Sequence, residues 1–400
     1  MLKGQKPHIG IFGRRNIGKS SIINSLTGQE ISIVSPHPGT TTDPVTKTME
    51  ITGIGPVVLT DTAGIDDEGD LGKKRVARSF RAIDTVDLGI IAVSHNAFGE
   101  HERRVADSLR HRQIPFFVVH NKSDLEPLDD ETKADIEAET RTDVIPFNSR
   151  APDNLEDVVD LIKKHLPPTS YQKHSILGDM VSPGDLVVLV TPVDIETPEG
   201  RIILPQVQTI RDLLDNNCIS VVLRETELEA YISSCTPRPR LVVTDSQALA
   251  KVDAEVPREI PITSFSILYT RLKGDFARAA EGTPAISRLR DGDRVMILES
   301  CTHHVAGDDI GRVKLPRWIK RFTGKDLEFD VVAGLDAPPR PMRDYSLVIQ
   351  CGGCMLTRRQ VLLRLAPAID AGVPVTNYGM AIAWCTGTFE RATAPFSGLA

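Results

Sequence analysis

A loop near the start of the chain carries the residue types that bind phosphate. The segment GRRNIGKS runs from Gly13 to Ser20 and follows a short apolar strand. It matches the pattern G-x-x-x-x-G-K-[ST], in which backbone N–H groups face phosphate oxygens, the lysine neutralises the β- and γ-phosphates and the hydroxyl reaches Mg²⁺. The sequence therefore predicts that Lys19 and Ser20 hold a nucleoside triphosphate and its magnesium ion.

Two later segments add the groups that such a nucleotide site needs. The segment VVLTDTAG places Asp61 at the end of an apolar strand, where a carboxylate can hold the Mg²⁺ shell through water. The segment FFVVHNKSD places Asn121, Lys122 and Asp124 at the end of another strand. The carboxylate of Asp124 can accept both N–H donors of a guanine edge, and adenine does not offer that pair. We therefore expect GTP and GDP as ligands.

Cysteines and histidines near the other end of the chain could bind a metal. The segment CTHH contains Cys301, His303 and His304, and IQCGGCML contains Cys351 and Cys354. The pair Cys-x-x-Cys could be a redox couple, although thioredoxin chemistry needs no third cysteine. Three cysteines and one histidine could form a closed zinc site, and three thiolates could hold a 4Fe-4S cluster with one iron on a weaker ligand.

The remaining cysteines are interpreted as packing residues. Cys218 opens a predicted strand, Cys235 closes a predicted helix and Cys385 lies in the apolar stretch MAIAWCTG. Buried cysteine usually behaves as a small apolar side chain. The metal hypotheses therefore depend on the cysteines of CTHH and CGGC.

The segments that carry this chemistry all follow apolar runs with the length of strands. Strands alternate with helical patterns along the chain, which indicates parallel sheets with crossover helices. We expect an α/β fold of three domains with mainly parallel sheets, namely a P-loop GTPase domain followed by two further α/β domains. The expected bounds are 1–170, 178–264 and 265–400.

The predicted strands also place the cysteines next to one another. The strands predicted after the first domain are 185–193, 218–225, 240–245, 294–300, 345–350 and 373–379. If the last three are parallel, then Cys301, the Cys351–Cys354 loop and Asn377–Tyr378 all lie at carboxyl ends of strands. Open α/β sheets gather their ligands at that edge.

Composition limits the classes of partner. The 400 residues carry a formal net charge of −7 and a pI near 5.8, which argues against a protein that coats nucleic acid. The basic segment 311–321 with Trp318 is interpreted as a solvated helix face with one core aromatic side chain. No apolar stretch reaches the length of a membrane span. We expect a soluble, cytoplasmic protein without membrane or nucleic-acid partners.

The nucleotide motifs resemble the TrmE-Era-EngA branch of small GTPases over residues 6–168. The order of the three segments carries the resemblance, with PGTTTD between the first two and PFNSR after the third. It implies that Thr41 binds Mg²⁺ from switch I, that Gly64 senses the γ-phosphate and that Asn148, Ser149 and Arg150 form a base-contacting loop. The implied GTP contacts are Gly13, Asn16, Ile17, Gly18, Lys19, Ser20, Ser21, Asp61, Gly64, Asn121, Lys122, Asp124, Asn148 and Ser149.

The resemblance also implies how hydrolysis is catalysed. Ile65 follows DTAG where Ras-like enzymes have a water-orienting glutamine, so hydrolysis should be slow unless another group supplies charge. Asn16 matches an asparagine that binds K⁺ in potassium-activated members, whereas a simpler interpretation makes it a turn residue. Thr42 stands where relatives often carry arginine. The catalytic set implied is Lys19, Asn16, Thr41 and Gly64.

The whole chain, 1–400, resembles the maturation GTPases of FeFe hydrogenases. The resemblance rests on Cys-x-His, a gap of about fifty residues and then Cys-x-x-Cys, behind a potassium-type GTPase and an α/β block. It implies that Cys301, Cys351 and Cys354 bind a 4Fe-4S cluster within residues 265–400. A residue that is often histidine in this family is Gln350 here, which leaves His303 or His304 as the fourth ligand.

The same resemblance implies a function and partners. Its members serve as scaffold or carrier for a di-iron subcluster that they deliver to apo FeFe-hydrogenase, in a pathway with radical-SAM maturation enzymes. They form homodimers through the middle domain. The rival hypothesis is an RNA-modification or ribosome-assembly GTPase with a structural zinc site, because many TrmE-Era-EngA relatives act on RNA. Metal analysis of an anaerobic preparation distinguishes the two.

Overall fold

The computed structural model describes residues 6–28, 45–66, 69–166, 175–192, 202–300, 309–334 and 336–397. The chain divides into two compact units, 1–172 and 173–400. Each unit is described by itself. Among the described residues, no helix has both the length and the apolar character that a membrane crossing requires.

The first unit contains a six-stranded sheet with the order β2-β3-β1-β4-β5-β6. Only β2 runs antiparallel to its neighbour in this sheet. The strands are β1 (His8–Phe12), β2 (Val45–Ile51), β3 (Gly55–Asp61), β4 (Leu88–Val93), β5 (Phe116–Asn121) and β6 (Val144–Phe147). The helices are α1 (Lys19–Thr27), α2 (Gly69–Ile83), α3 (Glu100–His111), α4 (Asp130–Thr140) and α5 (Leu155–His165).

Helices cover both faces of this sheet because its central strands are apolar throughout. Every residue of β4 and β5 is buried, as expected for parallel strands that are covered on both sides. Apolar side chains of α1 and α5 pack on one face, and those of α2, α3 and α4 pack on the other. The polar ends of β1, β3 and β5 are thereby left at one edge, where the predicted nucleotide residues follow them.

The second unit begins with a four-stranded parallel sheet of order β10-β9-β7-β8. Its strands are β7 (Leu186–Val190), β8 (Ile219–Leu223), β9 (Leu241–Thr244) and β10 (Ile262–Ser264). Its helices are α6 (Leu204–Asp215), α7 (Leu228–Ser234) and α8 (Leu249–Glu255). Strand β8 lies at one end of this sheet among the described strands, and it is the least covered of the four.

A second parallel sheet, of order β12-β11-β13-β14, follows in the same unit. Its strands are β11 (Arg294–Glu299), β12 (Glu328–Ala333), β13 (Leu347–Gln350) and β14 (Val375–Asn377). The helices of this region are α9 (Phe265–Lys273), α10 (Phe276–Gly282), α11 (Leu315–Thr323), α12 (Arg358–Asp370), α13 (Tyr378–Thr386) and α14 (Phe389–Thr393). One turn of π-helix, Ile310–Lys314, leads into α11.

Helix α13 contributes to the hydrophobic cores of both sheets of the second unit. The cluster that contains β7 and β9 also contains Met380 and Ala383 of α13, Ala392 of α14 and Phe396. Helix α9 contributes Phe265, Ile267, Leu268 and Tyr269 to the same cluster. The last described helices therefore complete the core of a sheet that begins near residue 186.

The expected fold class, α/β with mainly parallel sheets, is confirmed, whereas the bounds 1–170, 178–264 and 265–400 stay predictions. Strands β2, β4, β6, β10 and β12 were not predicted. The segment 311–321 is largely helical, with Trp318 half-buried against the core and exposed basic side chains. Cys218 is buried, and Cys235 and Cys385 are half-buried.

Candidate functional site

The phosphate loop folds back on itself between β1 and α1. The Lys19 ammonium is buried and donates to the carbonyl oxygens of Gly13 and Arg14, at 2.9 and 2.8 Å. Gly18 has a φ of 94°, and a Cβ there would lie 2.3 Å from Nδ2 of Asn121. Only glycine fits that position, because its backbone is left-handed and the amide leaves no room. Gly18 therefore lets the phosphate loop pass close to the Asn121 side chain.

The magnesium side of the site consists of a hydroxyl and a carboxylate. Ser20 Oγ donates to Asp61 Oδ2 at 2.8 Å, and burial raises the pKa of Asp61. Within the described part of the chain, Asp61 Oδ1 is buried and accepts no hydrogen bond. A buried carboxylate oxygen with no donor is the kind of atom that a hard cation and its waters satisfy. These two residues therefore fit Mg²⁺, while Thr41 lies outside the described residues.

The base-binding loops are tied to the phosphate loop by direct hydrogen bonds. Asn121 Nδ2 donates to the carbonyl oxygen of Ile17 at 2.9 Å, and Asn121 Oδ1 accepts from the backbone N–H of Ser149 at 3.2 Å. Lys122 Nζ donates to the carbonyl oxygen of Asn16 at 2.7 Å. One asparagine therefore joins three loops that are up to 132 residues apart, from Ile17 to Ser149.

These loops surround a cavity of about 580 Å³. Its wall contains the predicted residues Asn16, Gly18, Lys19, Ser20, Ser21, Asp61, Gly64, Asn121, Lys122, Asp124, Asn148 and Ser149, together with Arg150. Gly13 and Ile17 are not on the wall; they contribute carbonyl oxygens that accept from Lys19 and Asn121. The cavity has the residues and the volume to enclose a nucleotide.

Three wall residues were not predicted, namely Arg15, Thr62 and Leu125. Arg15 packs on Gly64, because a Cβ on that glycine would lie 2.4 Å from Arg15 Cγ. Its backbone N–H donates to Asp66 Oδ1 at 2.8 Å. The other arginine of GRRN, Arg14, has a different partner. Its side chain pairs with buried Glu102 in two hydrogen bonds of 2.8 and 2.7 Å.

The residue after DTAG has no polar role in this structure. The Ile65 side chain is buried in the core beneath α2, α3 and α4. Its backbone N–H donates to the carbonyl oxygen of Gly13 at 3.3 Å. Position 65 therefore offers no side-chain group that could orient a water molecule, in agreement with the sequence analysis.

The cysteine loop begins where β13 ends. Gln350 pairs in register with Leu298 of β11 and with Asn377 of β14, so Cys351 follows directly at the carboxyl edge. Cys351 Sγ accepts from the backbone N–H of Ser300 at 3.1 Å and lies 3.6 Å from Gln350 Nε2. Backbone and amide donors of this kind stabilise a thiolate. Strands β11, β13 and β14 are parallel, as predicted for this edge of the sheet.

One buried cation and one half-buried cation lie beside the loop. Lys273, at the end of α9, donates to the carbonyl oxygens of Gly353, Cys354 and Leu356 at 3.2, 3.1 and 2.7 Å. Burial lowers the pKa of Lys273 to about 8. Arg364 of α12 donates to Ser300 Oγ at 3.0 Å, and burial lowers its pKa as well. Neither cation was predicted from the sequence.

The three remaining candidate ligands, Cys301, His303 and His304, lie outside the described residues. Within the described ranges, no group of three Cys, His, Asp or Glu side chains could hold a metal. The described part of the site nevertheless fits a thiolate-bound metal. It supplies two thiols, N–H donors to one sulfur and the positive charges of buried Lys273 and half-buried Arg364. Gln350 Oε1 is buried without a described hydrogen-bond partner.

The comparisons with known proteins divide the chain into three matched segments. Residues 8–122 match the family model of the 50S ribosome-binding GTPase. Residues 176–274 match the hydrogen maturase F dimerization domain, and residues 277–395 match its tetramerization domain. The first match coincides with the nucleotide cavity, and the third contains the cysteine loop.

Two curated GTPases are similar to the N-terminal part of the chain. The tRNA modification GTPase MnmE of Nitrosomonas europaea is 43% identical over 117 residues, which are 29% of this chain and 26% of the relative. GTPase Der of Chloroflexus aggregans is 36% identical over 138 residues, which are 33% of this chain and 30% of the relative. The chain thus spans less than a third of these relatives.

A solved structure of Era from Aquifex aeolicus has 19% sequence identity and a TM-score of 0.37, and the match covers 55% of this chain and 93% of Era. The two maturase F domains together match more than half of the 400 residues and follow directly behind a GTPase domain. The chain therefore belongs to the hydrogen maturase F family, as the sequence analysis expected.

Proposed function

We propose that this chain hydrolyses GTP and carries metal clusters in the maturation of an FeFe hydrogenase. In this proposal Cys301, Cys351 and Cys354 hold a 4Fe-4S cluster, with His303 or His304 as a replaceable fourth ligand. The protein holds a di-iron subcluster as cargo, transfers it to apo-hydrogenase and works beside radical-SAM maturation enzymes. The supporting observation is a hydrogen-bonded Cys-x-x-Cys loop inside a matched maturase F domain, behind a GTPase domain.

The nucleotide cavity supports the GTPase half of the proposal. Lys19 would release its two loop carbonyls to bind the β- and γ-phosphates, and Ser20 and Asp61 would hold Mg²⁺. Because Ile65 is buried, the charge that develops during hydrolysis must be offset by another group. We assign that role to K⁺ held by Asn16, which lies on the cavity wall with a φ of 58°.

Comparison of GTP hydrolysis rates in K⁺ and in Na⁺ at equal ionic strength tests this assignment. We expect faster hydrolysis in K⁺, and Asn16→Ala should remove the difference. Arg15→Ala is the matched control, because it removes a cation from the same wall. It should lower both rates by the same factor and leave their ratio unchanged. Equal rates in the two salts for the parent protein would contradict the potassium site.

The cysteine loop supports the scaffold half. When bound, an iron–sulfur cluster would supply an open iron position at which another metal species can attach. The chain's own residues provide the thiolates, donate N–H groups to Cys351 Sγ and close the loop over Lys273. An acidic side chain in place of Gln350 or Lys273 would weaken thiolate binding.

Iron and zinc analysis of one anaerobic preparation tests the cluster. We expect iron, sulfide and visible thiolate-to-iron absorption. The variants Cys301→Ser, Cys351→Ser and Cys354→Ser should each lose iron and the ability to activate apo-hydrogenase. Cys385→Ser is the matched control and should keep both, because Cys385 packs against the core of α13 and burial raises its pKa to about 12. One zinc and no iron would contradict the proposal and favour the RNA-related alternative.

A further inference from the structure

Lys273 is a buried ammonium whose charge has no described carboxylate to balance it. The side chain is 3% exposed, and its Nζ lies 5.6 Å from the ring centroid of fully buried Tyr269. The ionisable groups that act on its charge are the thiols of Cys354 and Cys351, and no described carboxylate is among them. A charge in the protein interior is costly unless it is paired or hydrogen-bonded. The position of Lys273 therefore brings a positive charge to the cysteine loop, which a thiolate-bound metal cluster there would balance.

The hydrogen bonds of Lys273 also fix the shape of that loop. Its three acceptors are carbonyls of Gly353, Cys354 and Leu356, so one ammonium spans the whole turn after Cys351. Gly353 has a φ of 63°, and Leu356 closes the turn by donating its N–H to the Gly353 carbonyl at 3.0 Å. A lysine that served only to fill space would not need three acceptors on one turn.

We propose that Lys273 is a positioning residue of the metal site: it holds the turn 351–356 and offsets the negative charge of the cluster's thiolates, which raises the cluster's reduction potential. This inference rests on the proposed function, because it needs a cluster at Cys351 and Cys354. Reduction adds one electron, which an external reductant supplies, and a positive charge inside a low-dielectric site favours the more negative reduced state.

Other groups donate hydrogen bonds at the start of the same loop. Ser300 N–H and Gln350 Nε2 lie at Cys351 Sγ, and Arg364 reaches the Ser300 hydroxyl and the carbonyl of Val332. These donors act on Cys351, whereas Lys273 bonds directly to the Cys354 carbonyl. Lys273 therefore supplies charge to the half of the loop that these donors do not reach.

The test compares the full chain with Lys273→Gln, which keeps an N–H donor but loses the charge, and with Lys273→Met, which loses both. Lys251→Met is the matched control, because Lys251 is an exposed lysine in the same unit. After anaerobic reconstitution, iron content and the midpoint potential of the cluster are measured. We expect parent values for Lys251→Met, near-parent iron with a lower midpoint potential for Lys273→Gln, and loss of most iron for Lys273→Met.

Urea unfolding of the iron-free proteins gives a second measurement. Without a cluster the Lys273 charge has no anion, so the iron-free Lys273→Gln protein should unfold at the same urea concentration as the parent or at a higher one. A Lys273→Gln protein that does not fold would make Lys273 a purely structural residue and overturn the proposal. A folded, iron-loaded Lys273→Gln protein with the parent's potential would overturn it as well. A parent that binds no iron contradicts the proposed function itself, and the inference then falls with it.

Discussion

Individual side chains at the nucleotide site determine which base can bind. Asp124 lies on the cavity wall next to Lys122, whose ammonium is held by the carbonyl of Asn16. A carboxylate at this position accepts two N–H donors from guanine, and an amide would present one donor in place of one acceptor. Mismatched polar groups in a binding site are strongly unfavourable because they stay unpaired.

We therefore predict that Asp124→Asn weakens GTP binding by about 100-fold or more and favours xanthosine triphosphate, whose base offers an acceptor at the matching position. Titration with fluorescent derivatives of the two nucleotides measures both affinities. Asp130→Asn, at the exposed start of α4, is the control and should bind GTP like the parent. Unchanged GTP affinity in Asp124→Asn would place the base elsewhere.

At the scale of single residues, the sequence predicted those functional side chains that belong to motifs of adjacent residues. Lys19, Ser20 and Asp61 could be named because their motifs have fixed spacing and each follows a strand. Lys273 could not be named, because its acceptors lie 80 to 83 positions away and no local pattern marks a lysine at the end of a helix. Arg15 was missed because the phosphate-loop pattern allows any residue there.

An arginine on the short helix α14 binds this helix to a segment that is distant in sequence. Arg391 of α14 donates to the backbone carbonyls of Asp253, Val256, Pro257 and Ile260, at 2.6 to 3.1 Å. It also pairs with the Asp253 carboxylate at 2.9 Å, and both side chains are largely buried. Five residues of helix would not stay ordered alone, so these bonds and the shared core hold α14 in place.

We predict that Arg391→Ala lowers the free energy of unfolding of the second unit by about 3 kcal/mol, because it removes a largely buried ion pair and leaves several carbonyls without their donor. Arg258→Ala is a matched control, since Arg258 pairs with the same Asp253 but its side chain is 72% exposed. The control should cost about 0.5 kcal/mol or less. Urea unfolding of both variants checks this, and equal losses would contradict the attachment.

At the scale of elements, the sequence predicted the alternation of strands and helices, but it did not predict the outer strands β2 and β12. Strands such as β7 and β11 could be recognised because their apolar runs are covered on both faces. Strands β2 and β12 could not, because VTKTMEI and EFDVVA mix polar and apolar residues at the outer end of a sheet. These segments form strands because they pair with the adjacent strand of the sheet, and their own sequence pattern does not indicate it.

At the scale of the whole molecule, an exposed apolar surface lies inside the matched dimerization domain. Four apolar side chains of this region are 42 to 59% exposed, namely Val207 and Leu214 of α6 and Ile219 and Val222 of β8. Strand β8 ends its sheet among the described strands, so its outer backbone groups can pair with another strand. Exposed apolar side chains beside an open strand are typical of a protein interface.

We predict that the double substitution Ile219→Lys and Val222→Lys converts a dimer into a monomer, because it places one charge on each side of this outer strand. Sedimentation or light scattering of the parent and the variant measures the change. Phe322→Lys is the control, since Phe322 is 43% exposed but lies in the matched tetramerization domain. It should leave the dimer intact. A dimeric double variant would show that another surface joins the subunits.

The two activities should also be separable, because the phosphate loop and the cysteine loop belong to different compact units. Lys19→Ala removes the cation that neutralises the phosphates, and we expect it to abolish GTP hydrolysis while bound iron stays at the parent level. Cys351→Ser should give the reverse pattern, with iron lost and hydrolysis kept. Loss of iron in Lys19→Ala would show that the two sites depend on each other.

The core of the β7–β10 sheet can be completed only after the ribosome has synthesised α13 and α14, because both helices contribute side chains to it. The sheet of β7 to β10 lacks Met380, Ala383, Ala392 and Phe396 until the ribosome has added more than 100 further residues after α9. At ordinary rates of translation that interval is roughly 5 to 20 s. During it, the apolar surface that α13 and α14 will cover faces solvent or a chaperone. The nascent dimerization segment would therefore be exposed to premature association before its own fold is complete.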